Sequence, residues 1–198
     1  MTVIKDGTGT GNIAGVNSVN QLGVEAMVEP EAAFATDLGV AWVVDGQVFI
    51  FSGVERTIMI ITNSGITPIE IGRTITSVQN SPPSSGMITI IRTYLGNAAI
   101  TSSYTSKTPV NTNTQFTTIP NVGVVTNTSG VGTVTTGTDT EISQVYFFST
   151  DSIYIDYNET LFLNQGGSYR VTAQGVNTIA SGFIANHTVQ FFEEFHTG

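Results

Sequence analysis

The chain has 198 residues, of which 40% are hydrophobic and 11% are charged, and its formal net charge at pH 7 is −9. This length and hydrophobic content suit one domain with a sizeable core, and the absence of cysteine excludes disulfide scaffolds, thiolate zinc sites and cysteine nucleophiles. The six basic residues are scattered, so we predict no direct contact with nucleic acid or with an anionic membrane surface.

The chain begins with a glycine run, "KDGTGTGNIA", in which Gly9, Gly11 and Ala14 match the G-x-G-x-x-A pattern of a dinucleotide-binding loop. That loop requires a strand before the glycines and a helix after them, and the flanking residues favour neither. We therefore predict no bound cofactor and interpret residues 1–28 as an extended N-terminal arm. The glycines allow several backbone conformations, and the apolar residues between positions 16 and 24 can dock as an extended strand.

Residues 29–198 are predicted to form a single β-rich domain. A short helix is expected at residues 29–39, where a proline stands near the start and a glycine follows the end. Asp45-Gly46 separates two runs of apolar, β-branched and aromatic residues, which predicts a hairpin of strands 40–44 and 47–52. Later strands are predicted at residues 56–63, 69–78, 86–95, 97–105, 142–149, 152–157, 160–164, 168–174 and 183–195.

Many short strands with turn residues between them indicate an all-β fold, and we expect an antiparallel β-sandwich of about eight strands, jelly-roll-like. Residues 111–140 are rich in threonine, asparagine and glycine and are predicted to form a long polar excursion from it. Residues 80–86, with two consecutive prolines, are predicted to be a loop. The predicted core residues are Trp42, Phe49, Ile60, Ile90, Phe147, Val171 and Val189.

His187 is the strongest candidate for a metal ligand within the domain. Strand alternation places it on the same face as Phe183, Val189 and Phe191, so a structural role in the core is the favoured interpretation. The other histidine, His196, lies in the last three residues, and neither histidine has a patterned carboxylate nearby in the sequence. We therefore predict that the protein binds no metal ion.

No nucleophile elbow or other catalytic motif is present in the sequence, so any catalytic residues would have to be brought together by the fold. A hydrolase on this scaffold would require convergence of carboxylates, for which the candidates are Asp139, Glu141, Asp151 and Asp156. We predict that the protein is not an enzyme. A carbohydrate- or receptor-binding module is the alternative function, and its candidate exposed aromatic residues are Tyr94, Tyr104, Tyr154 and Tyr157.

The stretch "VIKDGTGTGNIAGVNSVNQLGVEAM" at residues 3–27 resembles the amino-terminal segment of a group of tailed-bacteriophage virion proteins. These are small β-rich structural proteins with an Asp-Gly-Thr-Gly run followed by a Val-Asn/Asp-x-x-Asn-x-Leu segment. The arm residues that we predict to bind neighbouring subunits, most of which carry this resemblance, are Asp6, Gly7, Thr8, Gly9, Gly11, Val16, Asn17, Asn20 and Leu22.

The resemblance implies a jelly-roll-like domain, often trimeric, that is mounted on a capsid or a tail and has no catalytic residues. We accordingly expect a homotrimeric virion component that is made in the host cytoplasm. Its expected partners are the major capsid protein or other virion subunits. A capsid cement or decoration protein is favoured over a tail or adaptor component.

Overall fold

Nearly all regular secondary structure in the chain is β-strand. The computed structural model describes residues 3–5, 13–16, 22–23, 35–36, 38–50, 53–80, 88–100, 104–127, 134–148, 151–156, 161–176 and 183–193. The chain forms two compact units, residues 1–31 and 32–198. In the first unit, three strands form an antiparallel sheet in the order β1-β2-β3: β1 (Val3–Lys5), β2 (Ile13–Val16) and β3 (Leu22–Gly23).

The second unit contains eight strands that form the body of two antiparallel sheets, and six further strands. The eight main strands are β4 (Ala41–Phe49), β5 (Arg56–Asn63), β6 (Ile69–Asn80), β7 (Thr89–Gly96), β13 (Asp139–Phe147), β14 (Asp151–Asp156), β16 (Ser168–Gly175) and β17 (Phe183–Glu193). The six further strands are β8 (Ala99–Ile100), β9 (Tyr104–Ser106), β10 (Val110–Asn111), β11 (Val122–Asn127), β12 (Val134–Thr136) and β15 (Phe162–Leu163).

The order of the strands confirms the predicted all-β sandwich and defines it as a jelly roll. One sheet has the order β10-β4-β17-β6-β14, with β15 also paired to β6, and the other has the order β13-β7-β16-β5-β11-β9. Numbered one to eight along the chain, the main strands run 1-8-3-6 in the first sheet and 5-4-7-2 in the second. Successive strands therefore alternate between the sheets except for strands four and five, which are neighbours in the second sheet, and this order is the double Greek key of a jelly roll.

The core lies between the two sheets and is formed by the inward faces of both. Trp42 on β4 and Phe191 on β17 are buried, and their rings stack with centroids 6.0 Å apart. Met59 on β5 and Val171 on β16 face them from the other sheet and are also fully buried. Each such side chain contributes roughly 1.5 to 3 kcal/mol by its removal from water.

Six of the seven predicted core residues are buried, and Phe49 is the exception. Ile60 and Ile90 are buried but lie outside the main core cluster, since alternation directs them to the outer face of the second sheet. Phe49 is 50% exposed, so its placement in the core was wrong. Its neighbours Val48 and Ile50 are the buried residues at this end of β4.

The predicted hairpin at Asp45-Gly46 was also wrong, because β4 runs without interruption through both residues. β4 pairs with β17 over its whole length, and Gly46 lies opposite His187 in this register. The described glycines with positive φ are Gly39, Gly53, Gly137 and Gly166, so Gly46 lacks the backbone conformation of a type I′ turn.

Gly46 serves the packing of the two sheets instead of a turn. A Cβ atom at this position would lie 3.1 Å from Met59 Cε and 3.2 Å from the carbonyl oxygen of Ile58. The nine-residue pairing with β17 therefore outweighs the local preference of an Asp-Gly pair for a turn.

The segment between β7 and β13 covers the edge of the sandwich at β4 and β5. It leaves and returns at one point, where the Asn97 amide donates to the Thr138 carbonyl oxygen at 3.2 Å. β8 and β12 pair with each other, β10 pairs with the free edge of β4, and β11 pairs with β5. Both sheets are thereby extended at this side, which protects edges that would otherwise pair with other chains.

The end of the predicted helix is described, whereas residues 29–34 lie outside the described residues. Ala35 and Thr36 are helical, and Gly39 follows them with φ of 72°. The Gly39 amide donates to the Thr36 carbonyl oxygen and the Val40 amide donates to that of Ala35, both at 3.0 Å. This pair of bonds is the Schellman arrangement that ends a helix at a glycine.

The Gly39→Ala variant is expected to lose about 1 to 3 kcal/mol of unfolding free energy. Alanine is strained at this φ, and its Cβ would lie 2.3 Å from Cγ of the Phe116 ring. Gly53→Ala is the matched control, because Gly53 has φ of 70° and no atom within 4 Å of an added Cβ.

Chemical unfolding followed by the fluorescence of Trp42, the only tryptophan, measures both variants. The control is expected to lose only the backbone part, about 1 kcal/mol. An equal loss in the two variants would show that the contact with Phe116 contributes nothing.

Candidate functional site

The predicted partner-binding arm is described at only two of its nine residues. Val16 lies in β2 and Leu22 in β3, and the two are register partners in the sheet of the first unit. The other predicted arm residues, Asp6, Gly7, Thr8, Gly9, Gly11, Asn17 and Asn20, lie outside the described residues. Their role in binding neighbouring subunits stays a prediction.

His187 forms a polar bridge between the two sheets inside the core. The side chain is 2% exposed, and its Nδ1 shares a hydrogen bond of 2.7 Å with Oγ1 of Thr76 on β6. Its Nε2 shares a hydrogen bond of 3.0 Å with Oη of Tyr169 on the opposite sheet. The predicted position of His187 in the core is therefore confirmed.

The environment of His187 favours the neutral imidazole. Burial lowers the pKa of His187 to about 3, because a charged ring would lose its hydration without gaining a carboxylate. A neutral imidazole has one donor and one acceptor, which matches two hydroxyl partners. The residue thus satisfies its own polar atoms while it joins β6, β16 and β17.

A network of charged and polar side chains covers the outer face of the second sheet. Glu55 is its centre: its carboxylate accepts hydrogen bonds from Tyr94 Oη at 2.9 Å and from Thr172 Oγ1 at 2.7 Å, and Arg92 Nη1 lies 3.4 Å away. Arg170 lies over the ring of Tyr94, with Cζ 4.0 Å from the ring centroid. These contacts hold β7 and β16 to the segment that precedes β5.

Two of the tyrosines predicted as exposed aromatic residues of a carbohydrate- or receptor-binding module are engaged within this sheet. Burial, followed by the hydrogen bond to Glu55, raises the pKa of Tyr94 to about 12. One face of the Tyr94 ring is covered by Arg170. Tyr104 on β9 is partly buried, and burial raises its pKa. Tyr154 lies in β14, and Tyr157 lies outside the described residues.

The two candidate carboxylates of a hydrolase whose side chains are described bind different arginines. Asp139 Oδ2 accepts a hydrogen bond of 2.6 Å from Arg170 Nε, whereas Glu141 Oε2 lies 3.5 Å from Arg92 Nε. Asp151 and Asp156 occupy the two ends of β14, in the other sheet. In the part of the chain that the structure describes, no three His, Asp or Glu side chains are grouped so that they could hold a metal ion.

Large apolar side chains are exposed at the end of the sandwich where β4, β13 and β16 finish. Phe148 is 69% exposed and directly follows β13, and Val176 directly follows β16. Val54 is also exposed. It lies near Val176, because the amide of the adjacent Gly53 donates to the Gly175 carbonyl oxygen at 2.9 Å. Phe49 at the end of β4 adds a fourth exposed apolar side chain.

The opposite end carries a second group of exposed apolar side chains around Gly39. Leu38 precedes this glycine, and the ring of Phe116 packs against it. Thr118 Oγ1 donates to the Gly39 carbonyl oxygen at 2.9 Å and thereby holds the neighbouring Ile119, which is 72% exposed. Val110 on β10 is exposed near the same carbonyl, to which Asn111 Nδ2 donates at 2.7 Å.

β13 is the long strand at one open edge of the second sheet. It pairs with β7 on one side only, over residues 139–147. Ile142 and Tyr146 on this strand are 41% and 48% exposed. The register shifts between Glu141 and Ser143, and such a bulge disturbs the regular edge that another strand would pair with.

The contacts that join distant segments of the chain were not predicted from the sequence. Glu55 precedes β5 and shows no pattern in the sequence, yet it contacts residues of β7 and β16. Asn63 is fully buried at the end of β5, where its side chain supports the turn before β16. A polar residue that ends an apolar strand is a weak signal for such a role, and it does not identify the partner.

Comparisons with known proteins add no family assignment. No family model matches the chain, and no curated protein matches it. A solved structure described as "Crystal structure of infectious bursal disease virus VP2 subviral particle" is 13% identical, with a TM-score of 0.20. That match covers 78% of this chain and 41% of the other, so this chain spans less than half of that chain's length. Such a TM-score establishes no shared fold. Among the described residues, no helix has the length and apolar character needed to cross a membrane.

Proposed function

We propose that the protein is a non-enzymatic structural subunit of a tailed-bacteriophage virion, and that it binds neighbouring subunits through its N-terminal arm. The observation that carries this proposal is the character of the jelly-roll surface. Large apolar side chains are exposed at both ends of the sandwich, while the basic side chains of Arg92, Lys107 and Arg170 are paired with carboxylates.

The ion pairs support an assembly role because they occupy basic side chains that could otherwise bind an anionic ligand. Arg92, Lys107 and Arg170 are each bonded to a carboxylate, with Lys107 Nζ 2.6 Å from Asp45 Oδ2. Surfaces that pack against other subunits are depleted in charged residues and enriched in aromatic ones. Permanent contacts therefore suit this surface better than capture of an anionic ligand.

The sequence together with this surface supports the proposed arm contacts and oligomeric state. The resemblance of residues 3–27 to phage virion proteins favours a homotrimer made in the host cytoplasm. A capsid cement or decoration protein, bound to the major capsid protein, is favoured over a tail or adaptor component. The separate compact unit of residues 1–31 is compatible with a segment that binds a neighbour.

Sedimentation of the isolated chain at micromolar concentration tests the self-association on which this proposal depends. We expect a species of three times the 21.0 kDa chain mass, because obligate interfaces bury on the order of 2,000 Å² or more. Dilution of such an oligomer is expected to cause aggregation or unfolding. A soluble monomer that stays folded over the whole concentration range would overturn the proposed homotrimer.

A further inference from the structure

A cleft of about 440 Å³ opens at the end of the sandwich where β7 finishes and β16 begins. It is lined by residues 95–97, which end β7, and by residues 162–168, which connect β15 to β16. None of the ten lining residues carries a charge. The cleft contains none of the tyrosines, arginines or carboxylates discussed above.

The longer wall of the cleft is held by the buried residue Asn63. Its Nδ2 donates to the carbonyl oxygens of Leu163 and Thr67, both at 2.8 Å. Its main-chain oxygen accepts from the Gly166 amide at 2.8 Å, and its main-chain amide donates to the Gly167 carbonyl oxygen at 3.0 Å. The turn is therefore fixed before any ligand arrives, which lowers the entropic cost of binding.

The lining offers neutral hydrogen-bonding groups beside an apolar ring. The Asn164 and Gln165 side chains each present a donor and an acceptor in one plane, whereas Asn97 Oδ1 accepts from the Thr138 amide at 2.8 Å and its Nδ2 group is the donor on that side. Ser168 is a lining residue that is fully buried, and its Oγ has no hydrogen-bond partner among the described residues. Phe162, 40% exposed, supplies an aromatic surface at the rim.

We propose that this cleft binds a neutral saccharide. A sugar ring carries adjacent hydroxyl groups that pair with side-chain amides, and its C–H face packs on an aromatic ring. An anionic ligand would meet no basic side chain in the cleft, and a purely apolar ligand would leave the amides unpaired. This site is independent of the arm and of the proposed self-association.

Binding of immobilised neutral oligosaccharides to the full chain tests the proposal, with sialylated versions of the same oligosaccharides as anionic counterparts. We expect binding to at least one neutral oligosaccharide and no gain from the added carboxylate. Phe162→Ala is expected to weaken that binding about tenfold, the effect of one aromatic contact. Phe148→Ala removes an exposed phenylalanine at the opposite end of the sandwich and is expected to bind as the unchanged chain does.

A second variant, Gln165→Ala, tests the cleft even if Phe162→Ala fails to fold. The side chain of Gln165 is exposed and the turn is held by main-chain groups and Asn63, so Gln165→Ala is expected to keep the thermal stability and to bind more weakly. No binding to any neutral oligosaccharide, either immobilised or free in solution at about 10 mM, would overturn the proposal. Preference for sialylated oligosaccharides, or an equal loss in Phe148→Ala, would overturn it as well.

Discussion

The free energy of unfolding is expected to fall by about 2 kcal/mol as the pH is lowered from 6.5 to 5. His187 is neutral in the folded chain because burial lowers its pKa to about 3, whereas an unfolded histidine titrates near 6.5. Below pH 6.5 the imidazole of His187 therefore binds a proton in the unfolded chain and stays unprotonated in the folded chain. The stabilisation is complete above pH 6.5 and is lost towards pH 3, by about 1.4 kcal/mol per pH unit.

Urea unfolding at several pH values measures this slope, and His187→Gln is the matched variant. Glutamine is not titratable, so the variant is expected to be less stable at pH 7 and to show a flatter slope between pH 6.5 and 5. Most carboxylates stay ionised in that window, and His196 is present in both proteins, so the difference between the two slopes reports His187. Equal slopes in the two proteins would contradict the assignment of a neutral, buried His187.

Removal of residues 1–24 is expected to abolish incorporation into particles while the sandwich stays folded. In the described residues, β1, β2 and β3 pair only with one another, and the strands of the sandwich all come from residues after Val40. The deletion therefore removes no strand from the jelly roll. The nine predicted arm residues, which carry the proposed contacts, are all lost.

The test compares incorporation of the full and the shortened chain into particles. Each chain is expressed in cells infected by a virus from which the gene for this chain has been removed. The unfolding midpoint of the shortened chain is expected to change by less than a few degrees. Replacement of Gly7, Gly9 and Gly11 by alanine is a milder companion variant, because it stiffens the arm and keeps its length. Full occupancy of particles by the shortened chain would show that the arm is not the attachment segment.

The strands of the sandwich were predictable because alternation and β-branched runs depend on local sequence. The predicted strand at 56–63 coincides with β5, and the one at 168–174 lies within β16. The miss at β4 has a non-local cause: the Asp-Gly pair favours a turn locally, but pairing with β17, more than 130 residues later, determines the strand. The exposure of Phe49 follows from the same uninterrupted strand.

The polar contacts of the core and the cleft could be predicted only in part. Alternation placed His187 on a buried face, but its partners Thr76 and Tyr169 come from strands that are distant along the chain or lie in the opposite sheet. The cleft depends on Asn63 reaching a turn 100 residues later. Such pairs follow from strand order, which local patterns do not determine.

A density map of purified virus particles from the source of this chain tests the proposed virion role most directly. Our account predicts sandwich density in three copies around symmetry positions of the capsid, with the N-terminal segment of each copy on a neighbouring subunit. Particles at full infectivity that contain no density or mass for this chain would contradict the account.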